Sequence, residues 1–137
     1  RGTTGLDASR VAMVLAVLES RAGIGLKSCD TYTATVGGVK LTEPAADLAV
    51  AVSVASAMTK QPVPAGTVLI GEVGLAGEVR RVTATPRRLA EAARLGFTHA
   101  IVANDPGTVP AGIKVYEASD LIHAIDAAFR VPRLRGV

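Results

Sequence analysis

Apolar residues first recur at helical spacing, with Val11, Val14, Leu15 and Leu18 following Asp7, whose carboxylate suits an N-cap. Gly23 and Gly25 end this pattern, so it predicts an amphipathic helix over residues 8–21. Residues 29–36 then turn β-branched and aromatic (Thr31, Tyr32, Thr33, Thr35, Val36). The Gly37-Gly38 pair ahead of Val39 and Leu41 predicts a β-hairpin. After Pro44, residues 45–58 carry hardly a polar side chain besides Asp47, Ser53 and Ser56, and a helix of that kind must be buried on most sides. Pro62 and Pro64 stop it.

Residues 67–70 read as a short strand, the glycine-rich stretch 71–77 as a turn, and residues 78–82 as a strand pairing back. Thr85 and Pro86 suit the N-cap and first turn of a third helix, with Leu89, Ala92, Ala93 and Gly96 on its inner face. Residues 100–102 and 113–116 read as strands. Ser119 is the expected cap of a last helix, with Leu121, Ile122, Ile125 and Ala128 turned inward. This order predicts an α/β (α+β two-layer) domain over residues 6–130, with mixed strand directions and a flexible tail over 131–137.

At 137 residues the chain suits one core, and with 49% hydrophobic but only 3% aromatic residues that core must be filled by small and branched side chains. No apolar run approaches the ~20 residues that span a bilayer and no signal segment opens the chain, so a cytoplasmic protein without membrane partners is expected. Cys29, the only cysteine, rules out an internal disulfide or a multi-cysteine zinc site and reads as structural. The net charge of +3 is modest, but its arginines cluster at Arg80, Arg81, Arg87, Arg88 and Arg94 and again at Arg130, Arg133 and Arg135. The chain opens on Arg1 without an initiating Met and is read as part of a longer protein.

Candidate chemistry narrows quickly. The stretch Gly71-Glu-Val-Gly-Leu-Ala-Gly77 lacks the Lys-Ser/Thr that a phosphate loop needs, and no Gly-x-Gly-x-x-Gly occurs. His99 and His123 stand alone, without the spacing of a metal site or triad. Ser56 and Lys60 fall four apart, a layout open to a Ser-Lys dyad, although a lysine at a helix end also complements exposed carbonyls. Arg87 and Arg88 occupy a first helical turn, where each cation costs roughly 0.3–1 kcal/mol against the helix dipole. DNA phosphate or an acidic patch on a neighbouring subunit would offset that cost, with Arg80 and Arg81 on the preceding strand. The competing reading is a solvated surface with Arg87–Glu91 and Glu91–Arg94 pairs.

Three segments then carry a specific resemblance. Glu43-Pro44-Ala45-Ala46-Asp47-Leu48-Ala49, Thr59-Lys60-Gln61-Pro62-Val63 and Gly71-Glu72-Val73-Gly74-Leu75-Ala76-Gly77-Glu78-Val79 are similar in order and spacing to the proteolytic domain of Lon. Further details resemble the carboxy-terminal Lon-protease-like domain of the RadA (Sms) family of bacterial DNA-repair proteins: Gly5-Leu6-Asp7, Gly37-Gly38-Val39, and Arg88-Leu89-x-Glu91-Ala-x-Arg94-Leu95-Gly96-Phe97. The resemblance covers nearly the whole chain and implies a Lon-protease-like, ribosomal-protein-domain-2-like fold. It places the Lon nucleophile at Ala45 and the general-base lysine at Pro86. A methyl group and a pyrrolidine ring cannot perform acyl transfer, so no catalytic residues and no resident metal or cofactor are expected.

The resemblance further implies that ATP, magnesium and zinc belong to upstream domains of a DNA-dependent ATPase acting in recombinational repair and branch migration. This domain would support a hexameric ring and sequence-independent contact with single- and double-stranded DNA, and Arg80, Arg81, Arg87 and Arg88 are the candidates for that contact or for the subunit interface. The alternative is an active Ser-Lys peptidase with relocated residues. Restoring Ser at Ala45 is expected to cost under about 1 kcal/mol and Lys at Pro86 about 1 kcal/mol.

Overall fold

The computed structural model describes residues 2–133. Its central sheet is parallel, in the order β3 (Thr67–Ile70), β6 (His99–Ala103), β7 (Lys114–Ala118). Strand alternation assigns its side chains to two cores. Ile70, Ala100, Val102 and Ile113 point to one face and meet Leu89 and Ala92 of α3 (Thr85–Arg94). Ile101, Ala103 and Ala118 point to the other, against α1 (Ala8–Ala22), α2 (Asp47–Thr59) and α4 (Leu121–Arg130). The α/β class stands, but helices cover both faces, giving three layers where two were expected. A parallel sheet with apolar side chains on both surfaces must be covered twice.

Leu15, Leu18, Leu48, Ile101 and Leu121 are all but fully enclosed in the larger core. Burying each contributes roughly 1.5–3 kcal/mol of transfer free energy. The all-round apolar character of α2 is only partly absorbed: Leu48, Ala51, Val52 and Ala55 are buried, whereas Ala57 and Met58 are exposed.

The expected hairpin does not form. Strand β1 (Gly2–Thr4) pairs in parallel with β2 (Tyr32–Ala34), and Leu6 bridges Leu41, also in parallel. The chain leaves this ladder as a loop through a 3-10 turn at Val36–Gly38 and rejoins it in the same direction. Gly37 and Gly38, at φ 73° and 72°, shape the excursion, and the Thr35 hydroxyl closes it by donating to the Val39 carbonyl. Two left-handed glycines suit a tight hairpin equally well, so the competition was decided by β1, whose unpaired edge both segments share.

Helix ends are shifted by local chemistry. Asp7 caps α1 by accepting from the Arg10 N–H, as expected. The N-cap of α3 is Ala84 in a left-handed conformation, because the Thr85 hydroxyl donates back to the Val82 carbonyl. Asp120, not Ser119, caps α4, accepting from the His123 N–H at 2.9 Å, and this bond above all holds the Asp120 carboxyl below its ordinary range. Ile122, expected to turn inward, is 55% exposed. The ordered fold also exceeds residues 6–130: β1 precedes it, and Val131, placed in the expected tail, is buried in the larger core. Of that tail, residues 134–137 lie outside the described residues.

Candidate functional site

Ala45 sits in the 3-10 turn Pro44–Ala46 that leads into α2, is only 7% exposed, and packs in the core beneath α3. Backbone bonds hold the turn against the end of β3: Gly71 N–H donates to the Ala45 carbonyl and Leu48 N–H to the Gly71 carbonyl, each at 3.1 Å. Pro86 is exposed, with its ring close to Gly107, where a Cβ would meet it at 2.9 Å. Ala45 lines a groove of about 590 Å³ together with Arg87 and Arg88, whereas Pro86 lines a separate cleft with Arg81 and Asp105. The two depressions adjoin at Ala84, which lines both.

Burial revises the expected costs of Ala45→Ser and Pro86→Lys. A hydroxyl at Ala45 would enter an apolar environment, so Ala45→Ser should cost about 1–2 kcal/mol. Pro86→Lys loses mainly a pre-set first-turn angle on an exposed surface and should cost at most about 1 kcal/mol. Paired thermal melts should thus rank serine as the more damaging change, reversing the order expected from sequence.

The structure gives the four expected contact arginines different partners. Arg80, on β5 (Val79–Arg80), is held by Glu78 at 2.8 Å; this bond raises the guanidinium pKa and lowers that of the carboxyl. Glu78 also accepts from Ala76 N–H, which ties the pair to the turn joining β4 (Glu72–Val73) to β5. Arg81 donates to the Asp105 carbonyl at 3.0 Å. Arg88 donates to the Thr83 carbonyl at 2.8 Å and is paired with Glu43, whose carboxyl that contact holds below its usual range. Arg87 is exposed and, among the described residues, has neither an ion pair nor a side-chain hydrogen bond. The expected Glu91–Arg94 pair forms, and Arg87–Glu91 does not. Arg81 and the Arg87–Arg88 pair lie to either side of Ala84, which lines both depressions.

The other candidates are used structurally. Ser56 Oγ donates to the Gln61 carbonyl at 2.5 Å, and Lys60 is the left-handed C-cap of α2, so this pair closes a helix. His99 stacks on Tyr116 and contacts Thr98 Oγ1, while His123 contacts the Asp120 carboxylate. Cys29 is exposed rather than enclosed.

Sequence reasoning missed a charged network between layers. Arg10 on α1 donates to both oxygens of Asp47, at 3.0 and 2.6 Å, and to Glu72 at 3.1 Å; Asp47 also accepts from the Val73 N–H at 3.2 Å. Asp47 alone in an apolar run was the available signal, but nothing in the sequence named its partner 37 residues away.

The family model described as subunit ChlI of Mg-chelatase matches residues 35–106. The chain is 50% identical over 125 residues to the DNA repair protein RadA of Mycolicibacterium smegmatis, covering 91% of the chain and 27% of that relative. It is 46% identical over 136 residues to the protein of that name from Mycobacterium tuberculosis, covering 99% and 28%, and 44% identical over 132 residues to that of Streptococcus pyogenes serotype M1, covering 94% and 29%. The chain thus spans less than a third of the length of these curated relatives. With that model matched over more than half of its residues and RadA relatives aligned across nearly all of it, the chain belongs to the ChlI-type, Lon-protease-like domain family in the form carried by RadA.

Proposed function

We propose that this domain is a non-catalytic module of a DNA-repair ATPase, supporting assembly of a hexameric ring and touching DNA without reading its sequence. The observation that carries the reading is the pair Ala45 and Pro86: neither offers a nucleophile or base, and they line different depressions. ATP, magnesium and zinc then belong to other domains of the longer protein. An exposed apolar face of Tyr32, Val36, Val39 and Met58 suits subunit contact. Arg87, unpaired at the start of α3, is the best placed of the four arginines to meet phosphate.

Two experiments test this reading. The chain should leave casein intact and take no label from serine-directed phosphonates; stoichiometric labelling of any serine would favour the relocated Ser-Lys peptidase instead. For DNA, Arg87→Ala should weaken binding to single- and double-stranded oligonucleotides alike and lower the log-log salt slope by about one. Arg80→Ala should change that slope less, because Glu78 already holds its guanidinium. A slope unaffected by Arg87→Ala removes it from the DNA contact.

A further inference from the structure

The segment between β5 and α3 is fastened by side chains alone. Among the described residues no backbone–backbone hydrogen bond reaches Arg81, Val82 or Thr83. Instead Arg81 donates to the Asp105 carbonyl, the Thr85 hydroxyl to the Val82 carbonyl and the Arg88 guanidinium to the Thr83 carbonyl. A stretch anchored in this way is lifted into an extended form without breaking a ladder.

Thr83 stands at the end of that stretch. It is exposed, and its hydroxyl enters no hydrogen bond among the described residues. Arg80 and Arg81, both exposed, precede it by three and two positions, and no other serine or threonine of the chain follows two arginines in this way. Thr85 gives the contrast, being 4% exposed with its hydroxyl bound to Val82. An enzyme that phosphorylates proteins and lines its substrate cleft with carboxylates would select the two cations ahead of Thr83.

The surroundings also suit the product. The N-cap of α3 is Ala84, whose methyl group accepts nothing, and the Thr85 and Arg87 amides meet no backbone acceptor among the described residues. Arg87 has no partner there, and Arg88 already reaches the Thr83 carbonyl at 2.8 Å. A dianion placed one residue before a helix cap and beside two guanidinium groups is stabilised by the helix dipole and by charge-assisted hydrogen bonds.

We propose that Thr83 is a phosphorylation site for a serine/threonine kinase with an acidic substrate cleft, and that Arg87 and Arg88 then hold the phosphate. In the transfer, Thr83 Oγ1 bonds to the γ-phosphorus of ATP and the bond from that phosphorus to the bridging oxygen breaks. ADP leaves with the electron pair, and the hydroxyl proton passes to the base of the kinase. The consequence for DNA rests on the reading of Arg87 given above, since an arginine engaged by a phosphate of its own chain is withdrawn from that of DNA. The site itself does not.

The probe is the catalytic subunit of cyclic-AMP-dependent protein kinase, which selects arginines at these two positions, supplied with ATP and the 137-residue chain. Mass spectrometry should place one phosphate on Thr83 and none on Thr85. Thr83→Val should abolish that transfer, and Arg80→Ala with Arg81→Ala should slow it by about tenfold or more. In phosphorus NMR the second ionisation of the phosphate should fall at lower pH than in the isolated phosphopeptide, and Arg87→Ala should move it back up. The phosphorylated chain should also bind oligonucleotides about tenfold more weakly, with a log-log salt slope lower by about one. The assignment of the phosphate is made on the unaltered chain, so it decides even where a variant misfolds. Absence of phosphate at Thr83, or transfer indifferent to the two arginines, would overturn the site. A phosphorus titration unmoved by Arg87→Ala and by Arg88→Ala would overturn capture of the phosphate, whatever happens to DNA. A titration that moves, while neither phosphorylation nor Arg87→Ala changes oligonucleotide affinity, would sink the DNA reading and leave the phosphorylation site standing.

Discussion

Replacing Asp47 with alanine should lower the unfolding free energy by about 3 kcal/mol, the cost expected when one partner of a buried, hydrogen-bonded ion pair is removed. Asp47 is 4% exposed and receives three hydrogen bonds, two from Arg10 and one from the Val73 N–H. Its loss strands that N–H in the core and leaves Arg10, 29% exposed, with Glu72 alone. Asp47→Asn keeps an acceptor for Val73 and should cost less. Urea denaturation of Asp47→Ala, Arg10→Ala and the double variant is the decisive measurement. The double variant should be much less damaging than the sum of the singles, because both remove one interaction. Additive losses, or a loss below about 1 kcal/mol for Asp47→Ala, would show that the network does not hold the layers together.

Gly5→Ala should be of similar severity, about 3 kcal/mol, and should act on the β1–β2 region. Gly5 has φ 80°, where an L side chain is strained, and its Cβ would come within 2.1 Å of Thr35 Oγ1 and 2.6 Å of the Val39 carbonyl oxygen. The hydroxyl could rotate away, but the carbonyl belongs to the loop that carries the chain from β2 to Leu41. Relieving the clash means moving that loop and losing the Leu41 N–H to Gly5 carbonyl bond. Hydrogen exchange should report lost protection at residues 2–6 and 32–41 before the central sheet is affected. Gly38→Ala is the control: φ is 72° but nothing lies within 4 Å, so only the conformational cost of roughly 1 kcal/mol remains. Equal destabilisation by the two would mean that the close approach at Gly5 is unimportant.

Residues three and four apart on α1, the uniform apolarity of α2, and the Thr-Val-Leu-Ile run of β3 are local patterns, and the expected elements formed there, β3 with the expected ends and the two helices with ends displaced by a residue or two. The expectation that Ala45 stands where Lon carries its serine needed only an aligned position. Pairing was not. Whether residues 32–41 fold on themselves or join β1 depends on a strand about thirty residues earlier, and the local Gly-Gly signal serves both outcomes. The burial of Ala45, the exposure of Pro86, and the choice of Arg10 as the partner of Asp47 likewise follow from packing between distant segments. The same holds for the arginines. Sequence determined that Arg80, Arg81, Arg87 and Arg88 are close along the chain, but tertiary structure decided which carboxylates and carbonyls reach them. Satisfying a guanidinium is a question of proximity in space, and only the folded chain leaves Arg87 open while it closes Arg80, Arg81 and Arg88.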